Sequence, residues 1–180
     1  MSGNALNQIQ SFRQSIWLDN ITRSMIQTGE LKKLIGEGLM GMTSNPTIFE
    51  KAISGSADYD EQMESLIAQG KSPAEILDAL MIRDIQMAAD LFRPVFDRTD
   101  GRDGHVSIEI NPSLANQTNE TIQTVRAIRL AVDRPNVMIK VPSTPEGIPA
   151  IEALIGEGIS INVTLIFSVE TYDRVAHFLL

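Results

Sequence analysis

Cysteine is absent from this 180-residue chain, so it can form no disulfide framework and no thiolate metal site. Only two histidines occur, His105 just ahead of an apolar run and His177 in a helical pattern, and together they give little support to a histidine triad or metal cluster. Basic residues are scarce relative to acidic ones, 15 against 23, and the formal net charge of -8 argues against nucleic acid or an anionic membrane as a partner. No apolar run approaches the ~18 residues that a membrane span needs. The opening MSGNALNQIQ lacks the charged start and apolar centre of a secretory signal. There is no P-loop. Gly36-Glu37-Gly38 and Gly156-Glu157-Gly158 lack the following helix that a dinucleotide fingerprint requires, and read as helix ends before strands. No low-complexity tract and no solenoid repeat is present. The expectation is a soluble, cytoplasmic protein whose 43% hydrophobic residues suffice for one domain with a sizeable core.

Five short apolar runs recur, and helical patterns separate them: SIWLDN (15–20), GLMGMTSN (38–45), HVSIEIN (105–111), VMIKVPS (137–143) and SINVTLIFS (160–168). Ser72-Pro73-Ala74-Glu75 is a capping box with proline at the first helical position. It predicts a helix to about Phe96, marked by Ile76, Leu80, Ile85, Met87 and Leu91. A second helix is expected over 113–132, and a third from Thr144-Pro145-Glu146 to Gly156 or Gly158. Ser168 is placed to cap a last one from Val169. The stretch from Pro46 to Gly104 is long for one crossover and reads as extra helices within one domain. Strands alternating with helices argue for βα units and a parallel sheet.

Side chains on a strand alternate between faces. Val137, Ile139 and Val141 oppose Met138, Lys140 and Pro142; Val106, Ile108 and Ile110 oppose Ser107, Glu109 and Asn111. Ile161, Val163, Leu165 and Phe167 oppose Asn162, Thr164 and Ser168. Ile16 and Leu18 oppose Trp17 and Asp19, and Met40 and Met42 oppose Thr43 and Asn45. Each strand thus has one greasy face and one face with polar residues towards its C-terminal end. Helices cover both faces of a doubly wound sheet, so both would be apolar. A (βα) barrel instead gathers polar groups at its C-terminal mouth, and the pattern favours that fold.

The residues at that mouth would be Asp19, Asn45, Glu109, Lys140, Asn162 and Thr164. A lysine in an apolar run suggests a nucleophilic amine, because an unpartnered buried ammonium is costly and tends to lose its proton. Carboxylates would then move protons, and asparagines and threonine would orient hydroxyls. Each residue also has a plainer reading. Lys140 can pack its stem and send its head to water. Glu109 can pair with it structurally. Asn45 can be a turn residue before Pro46, Thr164 an ordinary strand residue, and Asp19 a cap for a helix from about Thr22. Recurrence over five strands is what makes the set chemical.

Two stretches resemble signatures of the transaldolase family of class I, Schiff-base aldolases: GMTSNPTIF from Gly41 to Phe49, and VMIKVPSTPEG from Val137 to Gly147. WLDN at 17–20, SIEINP at 107–112 and NVTLIFS at 162–168 match in order and spacing. The resemblance implies a TIM-type parallel (βα) barrel and transfer of a dihydroxyacetone unit between ketose and aldose phosphates, within the pentose phosphate pathway. Lys140 would form the Schiff base and Asp19 would be the general base on the fourth-carbon hydroxyl. Glu109 and Thr164 would handle a water in proton transfer. Asn45, Asn162, Thr43 and Ser143 would contact substrate. Neither metal nor organic cofactor is implied. A fructose 6-phosphate aldolase-like enzyme, releasing free dihydroxyacetone, is the alternative within enzymes, and Glu109 argues against it. A non-catalytic fragment or interaction module is the alternative outside them.

A full barrel needs eight βα units, and five are counted here. The expectation is a single barrel domain over 1–180, truncated at its C-terminus, without the last three strands and their phosphate-binding serine and arginine groups. Such a chain would expose sheet edges and self-associate, and would catalyse weakly for want of the phosphate clamp.

Overall fold

The computed structural model describes residues 4–177. They divide into two compact units, one running to Val106 and including Arg134–Asn136, the other comprising Ser107–Asp133 and the chain from Val137 onward. Among the described residues, five strands form one sheet in the order β1-β2-β3-β4-β5: β1 (Trp17–Asp19), β2 (Gly41–Thr43), β3 (His105–Glu109), β4 (Val137–Pro142) and β5 (Ile161–Thr164). Each lies inside one of the five apolar runs. Helices alternate with them, so the parallel α/β class expected from the sequence is observed.

In the first unit, β1 and β2 pair in parallel, with Trp17 opposite Gly41 and Asp19 opposite Thr43. Helix α1 (Ala5–Gln10) precedes β1, and α2 (Arg23–Gln27) and α3 (Glu30–Gly36) separate β1 from β2. The long connection after β2 is helical, as expected: α4 (Pro46–Ser54), a 3₁₀ turn over Ala57–Tyr59, α5 (Asp60–Ala68) and the 26-residue α6 (Pro73–Arg98). Ile21, Leu31, Met42, Phe49, Ile85 and Phe92 are almost wholly buried and form its core. Burying each such side chain contributes roughly 1.5–3 kcal/mol.

Helix α6 begins with the expected capping box. The Ser72 hydroxyl accepts from the Glu75 amide, and Glu75 Oε2 accepts from the Ser72 amide at 2.9 Å. That backbone N–H bond, then Lys71 and the Ser72 hydroxyl, pull the Glu75 carboxyl down to about 2 from an ordinary value of 4.5. A lowered carboxyl contributes stability above its unfolded value and loses it as pH falls through the folded one. The Ser72 amide proton shift should therefore titrate with a midpoint near 2 rather than 4.5 in a two-dimensional NMR series.

In the second unit, β4 and β5 pair in parallel, with Lys140 opposite Asn162 and Pro142 opposite Thr164. Helices α7 (Thr118–Val132) and α8 (Gly147–Gly156) pack on each other and on β4. Val125, Ile139, Val141, Ile151 and Leu154 are buried among them. The sequence pattern differs from the structure in three places, the first being α8, which starts at Gly147 and leaves Thr144-Pro145-Glu146 as a turn. The helix expected over 113–132 is broken: Pro112–Leu114 is a 3₁₀ turn, and α7 starts only at Thr118. The run 160–168 stays strand only to Thr164, because Leu165 takes a left-handed φ of +62°. Leu165 and Phe167 are exposed rather than part of a buried greasy face. Ser168 caps α9 (Val169–Ala176) through the Thr171 amide, as expected.

Candidate active site

The residues expected to carry the chemistry fall into the two units, and each set is held by its own local structure. In the second unit, Lys140 lies near the end of β4, between buried Ile139 and Val141. Its Nζ is 3.2 Å from Glu109 Oε2 on β3, with 14% and 25% of the two side chains exposed. The ammonium therefore has a carboxylate partner, and enough water reaches both for proton exchange. At 3.2 Å, Glu109 is within reach to take or return a proton directly or through one water.

The neighbouring position across the sheet is Asn162, in register with Lys140. Its Nδ2 donates to the hydroxyl of Ser107 at 3.0 Å. That bond fixes the amide orientation and leaves Oδ1 as an acceptor for a ligand hydroxyl. Ser107 is fully buried and was not among the expected site residues, although strand alternation put it on the face of Glu109. Ser107→Ala should cost about 1 kcal/mol of stability. It should also strip the Asn162 Nδ2–H of its acceptor, so that the side-chain NH resonance carrying that bond shifts towards the value of an unbonded amide.

Thr164 ends β5 half-buried, and its carbonyl accepts from the Ser143 amide at 2.9 Å. The Ser143 hydroxyl is buried and has no hydrogen-bond partner among the described residues. The turn beyond it is tightly made. Thr144 Oγ1 accepts from the Gly147 amide at 2.9 Å and donates to the Ala115 carbonyl, and Thr118 Oγ1 donates to the Glu146 carbonyl at 2.7 Å. A Cβ at Gly147 would lie 2.0 Å from the Pro142 carbonyl oxygen, so only glycine lets α8 start this close to the strand that bears Lys140.

In the first unit, Asp19 ends β1 with an exposed side chain, opposite half-buried Thr43 on β2. The sequence allowed Asp19 as a cap for the next helix, but Thr22 holds that place, its hydroxyl accepting from the Met25 amide at 3.1 Å. Asn45 caps α4, with Oδ1 accepting from the Ile48 amide at 2.9 Å. Its Nδ2 is left as a donor, the complement of what Asn162 offers. Beside this set lies a cluster that sequence reasoning missed. Arg23 Nε donates to Asp84 Oδ1 and the Tyr59 hydroxyl to Asp84 Oδ2, both at 2.8 Å, and all three residues are at most 4% exposed. The available signal was a carboxylate on the apolar stripe of α6, four residues from both Leu80 and Ala88.

Among the described residues, no group of three or more His, Asp or Glu side chains is arranged to hold a metal ion, and no helix is long and apolar enough to cross a membrane.

The family model for transaldolase/fructose-6-phosphate aldolase matches residues 16–178. The chain belongs to that family. A curated transaldolase from Trichodesmium erythraeum is 49% identical over 177 residues, which is 98% of this chain and 47% of that protein. The transaldolase of Acidothermus cellulolyticus is 51% identical over 171 residues, 94% of this chain and 46% of its own length. A Nostoc punctiforme protein named transaldolase 2 is 46% identical over 177 residues, 98% and 46% respectively. The chain spans about half the length of the curated relatives it matches. Its parallel strands and alternating helices are consistent with part of the TIM-type barrel expected of a transaldolase-family member.

Proposed function

We propose that this chain serves transaldolase chemistry: transfer of a dihydroxyacetone unit from a ketose phosphate to an aldose phosphate through a Schiff base on Lys140. The observation that carries the reading is the Lys140 amine 3.2 Å from Glu109 and in register with Asn162, within a chain of the transaldolase family. Lys140 adds to the ketone of fructose 6-phosphate or sedoheptulose 7-phosphate. Glu109, with Thr164 and a water, moves the protons that turn the carbinolamine into an iminium. Asp19 then takes the proton of the fourth-carbon hydroxyl. The bond between the third and fourth carbons breaks, its electron pair neutralises the iminium as an enamine, and the aldehyde product leaves. Reversal onto an acceptor aldehyde completes the transfer.

Asn162 Oδ1 and Asn45 Nδ2, with Thr43 and Ser143, hold hydroxyls of the bound three-carbon unit. The iminium is itself the electron sink, so the steps need no metal or organic cofactor. The partners in this reading are sugar phosphates of the pentose phosphate pathway in the cytoplasm, and the match over 16–178 supports a single barrel domain. Contact between copies through exposed sheet edges belongs to the same proposal. The names of the relatives and the presence of Glu109 favour transfer over release of free dihydroxyacetone.

The test is borohydride reduction of the chain with fructose 6-phosphate, followed by peptide mass spectrometry. An adduct on Lys140 supports the enzyme, and its absence supports a non-catalytic module. Addition of erythrose 4-phosphate separates the enzyme classes. A transferase forms the seven-carbon ketose phosphate, whereas an aldolase continues to release dihydroxyacetone.

A further inference from the structure

We infer that the buried Arg23–Asp84–Tyr59 cluster is a positioning device for Asp19, the carboxylate assigned above as the base for carbon–carbon cleavage; the inference rests on that assignment. Three residues separate Asp19 from Arg23. The middle one, Ile21, is completely buried, and Thr22 caps α2. The backbone amide of Arg23 is one of the N–H groups that a helix start leaves without an intrahelical partner. It donates to the Tyr59 hydroxyl at 3.2 Å, and that hydroxyl donates in turn to Asp84 on α6. The Arg23 guanidinium lies 4.3 Å from the centre of the Tyr59 ring, and its NH groups reach the Asp58 and Leu80 carbonyls at 3.5 Å. The segment that follows Asp19 is thus fastened through both backbone and side chain to the 3₁₀ turn and to the longest helix of the unit.

Stability alone does not account for the arrangement. Desolvating an ion pair costs about as much as the pairing returns, and three apolar side chains would fill the space as well. Burial is the leading influence on Asp84 and holds its carboxyl above the usual carboxylate range despite the guanidinium beside it. What the charges supply is direction: a fork and two oxygens admit one geometry, whereas an apolar contact admits several. A general base needs that direction, because a displacement of about 1 Å can cost a factor of about 100 in rate.

The test uses the full chain with Tyr59→Phe, which removes one oxygen, and Arg23→Lys, which keeps the charge but loses the fork, should the first variant fold poorly. Borohydride trapping at Lys140 should be unchanged. Release of glyceraldehyde 3-phosphate from fructose 6-phosphate should fall roughly ten- to a hundredfold. In an Asp19→Asn background the same substitution should have no further effect on cleavage. A loss that persists in that background, or that matches an equally destabilised Ile85→Val chain, would assign the cluster to structure alone. A second readout does not depend on activity: ¹⁵N order parameters at Asn20 and Ile21 should drop from about 0.85 towards 0.6 in Tyr59→Phe. Unchanged order parameters overturn the inference. If the parent chain yields no Lys140 adduct, the catalytic reading fails, and the order parameters alone then decide whether the cluster pins the Asp19 segment.

Discussion

Lys140→Met should abolish the borohydride-trapped adduct and lower cleavage of fructose 6-phosphate by on the order of 10⁴ or more, because it removes the amine proposed to form the iminium. Methionine keeps a half-buried apolar stem on the same face of β4 and removes only the amine. Glu109 loses a partner 3.2 Å away, but a quarter of its side chain is exposed, so water replaces the ammonium. The cost to stability should be within about 1 kcal/mol, as for other solvent-reached ion pairs. Collapse of activity with the fold kept is the signature of a covalent role. Were Lys140 only a strand-end lysine with a packed stem, the adduct would survive on another residue. Were the Lys140–Glu109 pair purely structural, the variant would lose stability and not chemistry. Glu109→Gln offers the complementary comparison. It keeps the amine but removes the proton acceptor, so adduct formation should slow by about 10²–10⁴ without disappearing, the range of general acid–base effects.

How far the sequence could be read depended on the distance over which each signal acts. Strand alternation is local, and it puts Lys140 and Glu109 on the polar faces of their strands, where the structure brings them to 3.2 Å. Helix caps are local too, so Ser72-Pro73-Ala74-Glu75 and Ser168 marked true starts. The apolar pattern after Ser160 runs on to Ser168, but the strand stops at Thr164 because Leu165 takes a left-handed backbone that its identity does not announce. Pro112 opened a 3₁₀ turn rather than the first turn of α7, since proline suits both equally. The Arg23–Asp84 bond joins residues 61 apart in the chain, and no periodicity reports such a pairing. The same limit hid Ser107, whose bond to Asn162 spans 55 residues.

Asp84→Ala should destabilise the chain by about 3–5 kcal/mol, the usual cost of stripping one partner from a buried ion pair. The substitution leaves the Arg23 guanidinium, with 5% of its side chain exposed, facing a void where a carboxylate stood 2.8 Å away. It also deprives the Tyr59 hydroxyl of its acceptor. Against a typical domain stability of about 5–15 kcal/mol this is a large share, and chemical denaturation should read it directly. Arg23→Met combined with Asp84→Leu removes both charges and should recover most of the loss, which assigns the cost to the orphaned cation rather than to missing volume. The pH dependence of the parent has the opposite sign to that of Glu75. A carboxyl raised by burial contributes its stability below the unfolded value and loses it as pH rises through the folded one. The parent should therefore lose stability relative to Arg23→Met/Asp84→Leu as pH climbs out of the ordinary carboxylate range, and equal slopes for the two chains would show that Asp84 titrates alike folded and unfolded. If the double variant recovers stability but leaves the Asn20 and Ile21 amides disordered, the charges serve geometry, as inferred for Asp19, rather than the free energy of folding.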